Sequence, residues 1–331
     1  MHPRDGAGGN RNGNPKVTGG EGSGRLPRVN LASSRHEGGS HLDAVRLHER
    51  SGSGEAPMST LAGKTILMSG GSRGIGLAIA RRAARDGANV ALLAKTSDPH
   101  PALEGTVHTA AAEIEAAGGQ ALPIVGDVRD EASIESAVAR TVERFGGIDI
   151  VVNNASAIDL SPTRALSSKK FDLMHSINMR GTFLMSQKAI AHLERSDNPH
   201  ILTLSPPINL NPRWAGSHLG YTMAKYGMSL VTLGLAEELR EAGIAANSLW
   251  PHTLIATAAV RNLLGGERGI ARSRSPEIMA DAAHVVLTSP SRDCTGNFFI
   301  DDVVLREAGV TDLSVYGGPD ETLERDIFLD E

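Results

Sequence analysis

Ser69-Gly70-Gly71-Ser72-Arg73-Gly74-Ile75-Gly76 follows a short apolar run at 64–69 and opens directly onto an amphipathic pattern at 75–86. Strand, glycine turn and helix, in that order, decide the fold. Glycine lets the backbone approach a ligand closely, and a helix N-terminus offers unpaired N–H groups and positive potential to a pyrophosphate. The spacing, Gly-x-x-x-Gly-x-Gly, lies one residue from the dinucleotide fingerprint Gly-x-Gly-x-x-Gly, so the setting carries the reading more than the letters do. Taken alone, the turn leaves open a tight bend with no ligand.

Outward from this turn, short apolar runs alternate with longer helical patterns. Strands are expected at 64–69, 89–94, 121–125, 148–152, 200–204, 244–250 and 297–300, and helices at 75–86, about 169–195, 221–242 and 276–287, with six or so helices in all. Gly87, Gly118-Gly119 and Gly146-Gly147 mark helix ends. Strand runs that are nearly all apolar suit strands covered on both faces. The pattern predicts an α/β fold: a doubly wound Rossmann-type, seven-stranded parallel sheet with helices on both faces, in a single domain at 58–308.

The chain has 331 residues, 33 basic against 38 acidic, and a formal charge of −5. That balance argues against a nucleic-acid partner, and the absence of an apolar stretch of about 18 residues argues against a membrane span. The lone Cys294 excludes an intrachain disulfide and a cysteine-rich zinc site, so no metal is expected, and a reducing, cytoplasmic setting is. Residues 1–57 hold 12 of the 37 glycines and few large apolar side chains, which predicts a disordered leader, with Met58 as a plausible native start. Residues 309–331 form an acidic C-terminal extension, with seven Asp or Glu and one Arg after Thr311. It reads as a solvated tail or as a subunit clasp.

The glycine turn, Asn153-Asn154-Ala155-Ser156 after the fourth strand, and Tyr221-Thr222-Met223-Ala224-Lys225 together resemble the short-chain dehydrogenase/reductase family over about 61–301. The stretches Ala94-Lys95-Thr96, Asp127-Val128-Arg129-Asp130 and 205–212 are similar to a hydroxysteroid dehydrogenase-like branch of that family. The resemblance implies that members of that branch carry an additional sterol-carrier domain, which is not expected in residues 1–331. The resemblance implies a small-molecule substrate of lipid-like or hydroxysteroid-like character and a homodimer or homotetramer.

Tyr221 and Lys225 stand four apart on one helix and share a face. A neighbouring ammonium would favour the phenolate and bring tyrosine closer to neutral pH. The resemblance implies that Tyr221 exchanges a proton with the substrate oxygen, that Lys225 also binds the nicotinamide ribose, and that Asn178 supports a proton-relay water. It further implies a nicotinamide cofactor held by Gly70, Ser72, Arg73, Gly74, Ile75 and Gly76, by Asn154 and Ala155, and by Pro251, Thr253 and Ile255, with Thr257 near the diphosphate. Asp127 and Val128 follow the third strand at the adenine position, although Asp127 could equally cap the next helix. Asn153 and Asn154 are expected to tie neighbouring backbone together.

Cofactor choice follows from charge. An acidic residue ending the second strand would repel a 2′-phosphate, whereas this chain has Lys95, with Arg73 in the glycine turn, so NADP is favoured over NAD. Two departures from the family pattern bear on catalysis. Pro206 stands where the family places a substrate-orienting serine, leaving Ser205, Asn209 or His218 as candidates for that hydrogen bond. Pro251-His252 replaces the usual Pro-Gly, with His252 read either as a titratable ring near the cofactor or as a structural residue. The expected activity is interconversion of an alcohol and a carbonyl. A cofactor-binding sensor with little turnover and an enoyl thioester reductase are the alternatives.

Overall fold

The computed structural model describes residues 60–99, 105–263 and 265–330, so the leader at 1–57 and Met58 lie outside the described residues. Seven parallel strands form one sheet in the order β3-β2-β1-β4-β5-β6-β7. They are β1 (Thr65–Ser69), β2 (Asn89–Ala94), β3 (Gln120–Val125), β4 (Ile150–Asn153), β5 (His200–Thr203), β6 (Ala245–Trp250) and β7 (Phe298–Ile300). Between them run α1 (Gly74–Arg85), α2 (Val107–Ala116), α3 (Glu131–Phe145), α4 (Ser168–His175), α5 (Gly181–Leu193), α6 (Pro212–Ser217) and α7 (Leu219–Glu238). After β6 come α8 (Ala258–Leu263), α9 (Glu267–Ala271) and α10 (Glu277–Thr288), and α11 (Asp301–Glu307) follows β7.

The period-2 alternation of each strand sorts its side chains onto two cores. Ile66 and Met68 of β1 join one apolar layer with α1, α2 and α10, while Leu67 joins the other with α3, α5 and α7. Both faces are covered, as the unbroken apolar runs required. Pro123 is tolerated because β3 is an edge strand. Strand order reverses between β1 and β4, and a ligand crevice opens outside the carboxyl ends of strands at such a switch point.

The helix expected at 169–195 is divided by one π-helical turn, Ser176–Arg180, between α4 and α5. Residues 309–330 overturn the solvated reading of the tail. Leu313 and Tyr316 join the core, and Phe328 is 0% exposed. The acidic composition had hidden these few apolar anchors. No helix among the described residues is long and apolar enough to cross a membrane.

Candidate active site

Three carboxyl-terminal strand ends meet at the crevice. β1 runs into the glycine turn, where Gly70 and Gly74 have φ of 73° and 55°. A Cβ on Gly70 would lie 2.8 Å from Ala155 Cα, and one on Gly76 would lie 2.5 Å from Asn154 Nδ2. Asn154 Nδ2 donates to the carbonyls of Ser69 (3.2 Å) and Gly70 (2.8 Å), and the N–H groups of Asn154 and Ala155 donate to Ser69 Oγ. The tie between β4 and the glycine turn is therefore as expected for Asn154. Asn153 differs: its amide donates to Ser186 Oγ on α5.

α1 begins without a side-chain cap on its first-turn N–H groups and without an acidic residue in that turn. Such a terminus is suited to an anion. Ser72 and Gly76 are buried and Ile75 is partly so, which leaves backbone rather than side chains facing the turn. Arg73 donates to the Gly105 carbonyl (2.7 Å), and burial lowers its pKa. On the far wall, Pro251 and Ile255 are buried. Thr253 pairs with Arg325 in an isolated bridge, and its Oγ1 is buried with no hydrogen-bond partner among the described residues. The glycine cradle, the uncapped helix and this orphaned hydroxyl fit a dinucleotide's diphosphate and carboxamide.

Tyr221 and Lys225 are both buried on α7. Lys225 Nζ donates to the carbonyl of Leu204, just beyond β5, at 2.7 Å, and sits 4.9 Å from the Trp250 ring at the end of β6. The i, i+4 pair thus lies at the carboxyl edge of the sheet. Its electrostatics differ from the sequence expectation. Burial pushes the Tyr221 phenol well up, with the charge of Asp326 adding to the effect, and burial drives the Lys225 ammonium down to about 7. Desolvation outweighs the expected help from the ammonium, which is committed to Leu204.

Asn178 occupies the π-helical turn, where its side chain reaches back to the loop after β4. Its Oδ1 accepts from the Ala157 N–H (2.7 Å), and its Nδ2 donates to the Ala157 carbonyl (3.0 Å). Ser205 is not presented to the crevice: it is fully buried and its hydroxyl shares a 2.8 Å hydrogen bond with Ser248 Oγ. Asp130, not Asp127, caps α3, through the N–H groups of Ala132 and Ser133. Asp127 instead pairs with Arg129 (2.6 Å) and Lys95 (3.0 Å), and Arg129 foremost holds its carboxyl well below the usual range. Val128 packs beside Gly181. His252 is held by two acids: its Nδ1 meets Asp302 at 2.8 Å, and its backbone N–H donates to Asp301.

Sequence reasoning missed the contribution of the tail. Asp326 donates its N–H to the His252 carbonyl, and Trp250 Nε1 donates to Ile327 O. Asn209 Nδ2 donates to the Phe328 carbonyl and to Asp330. The segment thereby bridges the loops that follow β5 and β6. The only forward signal was the Phe-Leu-Asp at 328–330, which composition masks.

Residues 64–264 match the short chain dehydrogenase family model. The chain belongs to the short-chain dehydrogenase/reductase family. It is 57% identical over 271 residues to hydroxysteroid dehydrogenase-like protein 2 of Danio rerio, covering 82% of this chain and 65% of that protein. The human protein of the same name is 52% identical over 272 residues, with 82% of this chain and 64% of the relative covered. This chain therefore spans less than two thirds of the length of these relatives. A short chain dehydrogenase from Mycobacterium thermoresistibile is 61% identical with a TM-score of 0.77, covering 82% of this chain and 96% of that one. The seven-stranded parallel sheet agrees with membership of this family, whose model is described as short chain dehydrogenase.

Proposed function

We propose that the protein interconverts an alcohol and a carbonyl with NADP(H), Tyr221 exchanging the proton with the substrate oxygen. The observation that carries this reading is the buried pair Tyr221 and Lys225 at the switch-point edge, with Lys225 anchored on Leu204 O. When bound, the cofactor supplies or accepts the hydride. The first turn of α1 and Gly70, Gly74 and Gly76 would hold the diphosphate, Thr253 the carboxamide, and Lys225 the ribose. A phenol raised by burial stays protonated at neutral pH, which suits it to donate to a carbonyl reduced beside it. Asn178 fixes Ala157 and so the loop that borders the substrate side.

NADP over NAD is supported by Lys95, whose side chain is well exposed beside Asp127. A lipid-like substrate, in keeping with the hydroxysteroid dehydrogenase-like relatives, is supported by a cavity of about 550 Å³ whose apolar walls include Ile158, Leu160, Leu173, Met174 and Leu263. Several of those residues share an apolar cluster with Tyr221. Exposed Phe183 on α5 and Met223, Leu230 and Leu233 on α7 support a homodimer or homotetramer. The buried, unpaired Cys294 is in keeping with the cytoplasm.

The test is a panel of aldehydes, ketosteroids and enoyl thioesters, with NADPH oxidation followed in wild type and Tyr221→Phe. Loss of carbonyl reduction in the variant is expected. Equal rates on the best substrate would overturn the proton assignment. Turnover confined to enoyl thioesters would replace the reaction.

A further inference from the structure

We infer that His218 donates the substrate-oxygen hydrogen bond that relatives draw from the serine replaced here by Pro206; this inference rests on the carbonyl–alcohol reading above. The position after β5 has lost its donor, because proline carries no side-chain N–H or O–H. The neighbouring candidates are spent. Ser205 is fully buried against Ser248 Oγ. Asn209 places its Nδ2 on Phe328 O and Asp330, and its Oδ1 accepts from the Asn211 N–H. Thr222 directs its hydroxyl to the carbonyls of Trp214 and His218. Asn178 is held by both polar atoms on Ala157.

His218 stands apart from these. It sits at the corner between α6 and α7, three residues before Tyr221, and its ring stacks 6.0 Å from the tyrosine ring with planes 28° apart. Phe328 packs on it as well, at 5.5 Å. The residue is only 6% exposed, yet its Nε2 is buried without a hydrogen-bond partner among the described residues. Leaving such an atom unmet carries a desolvation cost with nothing to offset it, so an orphan of this kind calls for a reason. Other orphaned atoms are known in the chain, but none belongs to a ring stacked on Tyr221. Among them, Thr253 Oγ1 lies on the loop after β6, and Asn153 Oδ1 and Thr203 Oγ1 lie at the ends of β4 and β5.

The backbone at His218 is fixed for such a task. Its carbonyl accepts both the Thr222 N–H (3.0 Å) and the Thr222 hydroxyl (3.2 Å), which locks the corner from which the ring projects. Burial lowers the proton affinity of the ring, so at neutral pH it is an uncharged imidazole. A neutral imidazole polarises a carbonyl by donating one N–H while leaving proton delivery to another group, here Tyr221. The tyrosine gives its proton to the oxygen, and His218 orients that oxygen and stabilises the charge that develops on it.

His218→Phe keeps the aromatic volume and removes the donor, and His218→Gln restores a donor of similar reach. With the best carbonyl of the panel, His218→Phe is expected to lower kcat/KM by about 10²-fold, mainly through kcat, by analogy with loss of one oxyanion donor. NADPH affinity, read by fluorescence titration, should stay within about twofold by the same logic, because the ring does not hold the cofactor. His218→Gln should recover part of the rate, which mere repair of packing would not achieve. A second readout is the carbonyl stretch of acetophenone bound with NADP⁺, expected at lower frequency in wild type than in His218→Phe. A fully active His218→Phe, or an unshifted stretch, overturns the inference. Tyr221→Phe assayed alongside separates the two readings: if it is inactive while His218→Phe is fully active, the role of His218 alone fails, and if both are active, the proton assignment fails too.

Discussion

The Phe328 ring lies 6.1 Å from the Tyr221 ring, with planes 26° apart, although the two residues stand 107 positions apart in the chain. Phe328 also meets His218, Tyr226, Trp214 and Trp250, and it is the one non-glycine among the described residues with positive φ, 73°. A bulky residue holds that backbone only where its surroundings over-determine it. Here the determinants are five aromatic neighbours and the hydrogen bond from Asn209.

Phe328→Ala should therefore cost about 3–5 kcal/mol of stability, the range for deleting a fully buried phenylalanine. Phe328→Leu should cost less, because it refills part of the space. Urea denaturation measures both. Neither substitution relieves the backbone strain, since alanine adopts positive φ no more easily than phenylalanine does. Wild-type midpoints in both variants would show that the tail is not seated on Tyr221 in solution.

Asp326 gives the same segment a pH dependence. Burial first, then the charge of Asp301, pushes its carboxyl up to about 7, while Lys225 pulls the other way. An acid whose folded pKa exceeds its unfolded value of about 4 keeps its proton on folding, so its contribution is complete below about pH 4 and is lost as pH rises through 7. Asp326→Asn cannot ionise. Its stability is expected to fall less than that of wild type between pH 5 and pH 7, the window below the opposing Lys225 transition. Equal slopes would leave Asp301, also raised to about 7, as the source. The same substitution removes a charge that raises Tyr221, so the rising limb of alcohol oxidation against pH should move to lower pH.

The glycine turn can be tested at Gly76. An added methyl would meet Asn154 Nδ2 at 2.5 Å and the Gly71 Cα at 3.0 Å, and the backbone contact has no flexible end to yield. Gly76→Ala should displace the amide that ties Asn154 to Gly70. A loss of NADPH affinity of at least about tenfold, or 1.4 kcal/mol, is expected from fluorescence titration. Unchanged affinity would mean that this turn does not grip the diphosphate.

How far the sequence reached depended on whether a signal was local. The strand at 89–94 and the Tyr221–Lys225 spacing rest on periodicity and on neighbours within one element, and both were legible. The π-helical turn at Ser176–Arg180 was not, because it accommodates a contact between Asn178 and Ala157, 21 residues away. Ser205 looked available in one dimension and is consumed in three, by a residue on the neighbouring strand. The tail misled most: seven acidic residues announce solvent, while its burial rests on Phe328 and on hydrogen bonds to loops more than 70 residues earlier.

The proposed preference for NADP places a competition at Lys95. Its ammonium is 3.0 Å from Asp127, whose carboxylate is already held by Arg129. A 2′-phosphate would have to draw Lys95 away from that partner, so the lysine contributes less than its charge suggests. Asp127→Asn should free it and tighten NADPH relative to NADH by a few-fold, a modest gain because the lysine is well exposed. Lys95→Asp should do the reverse, weakening NADPH by about tenfold and leaving NADH almost unchanged, since an acid there repels the phosphate but can accept from the ribose hydroxyl. Raising the salt concentration should shrink both differences. Parallel titrations with the two cofactors decide the matter: if neither substitution changes their ratio, the phosphate is read elsewhere.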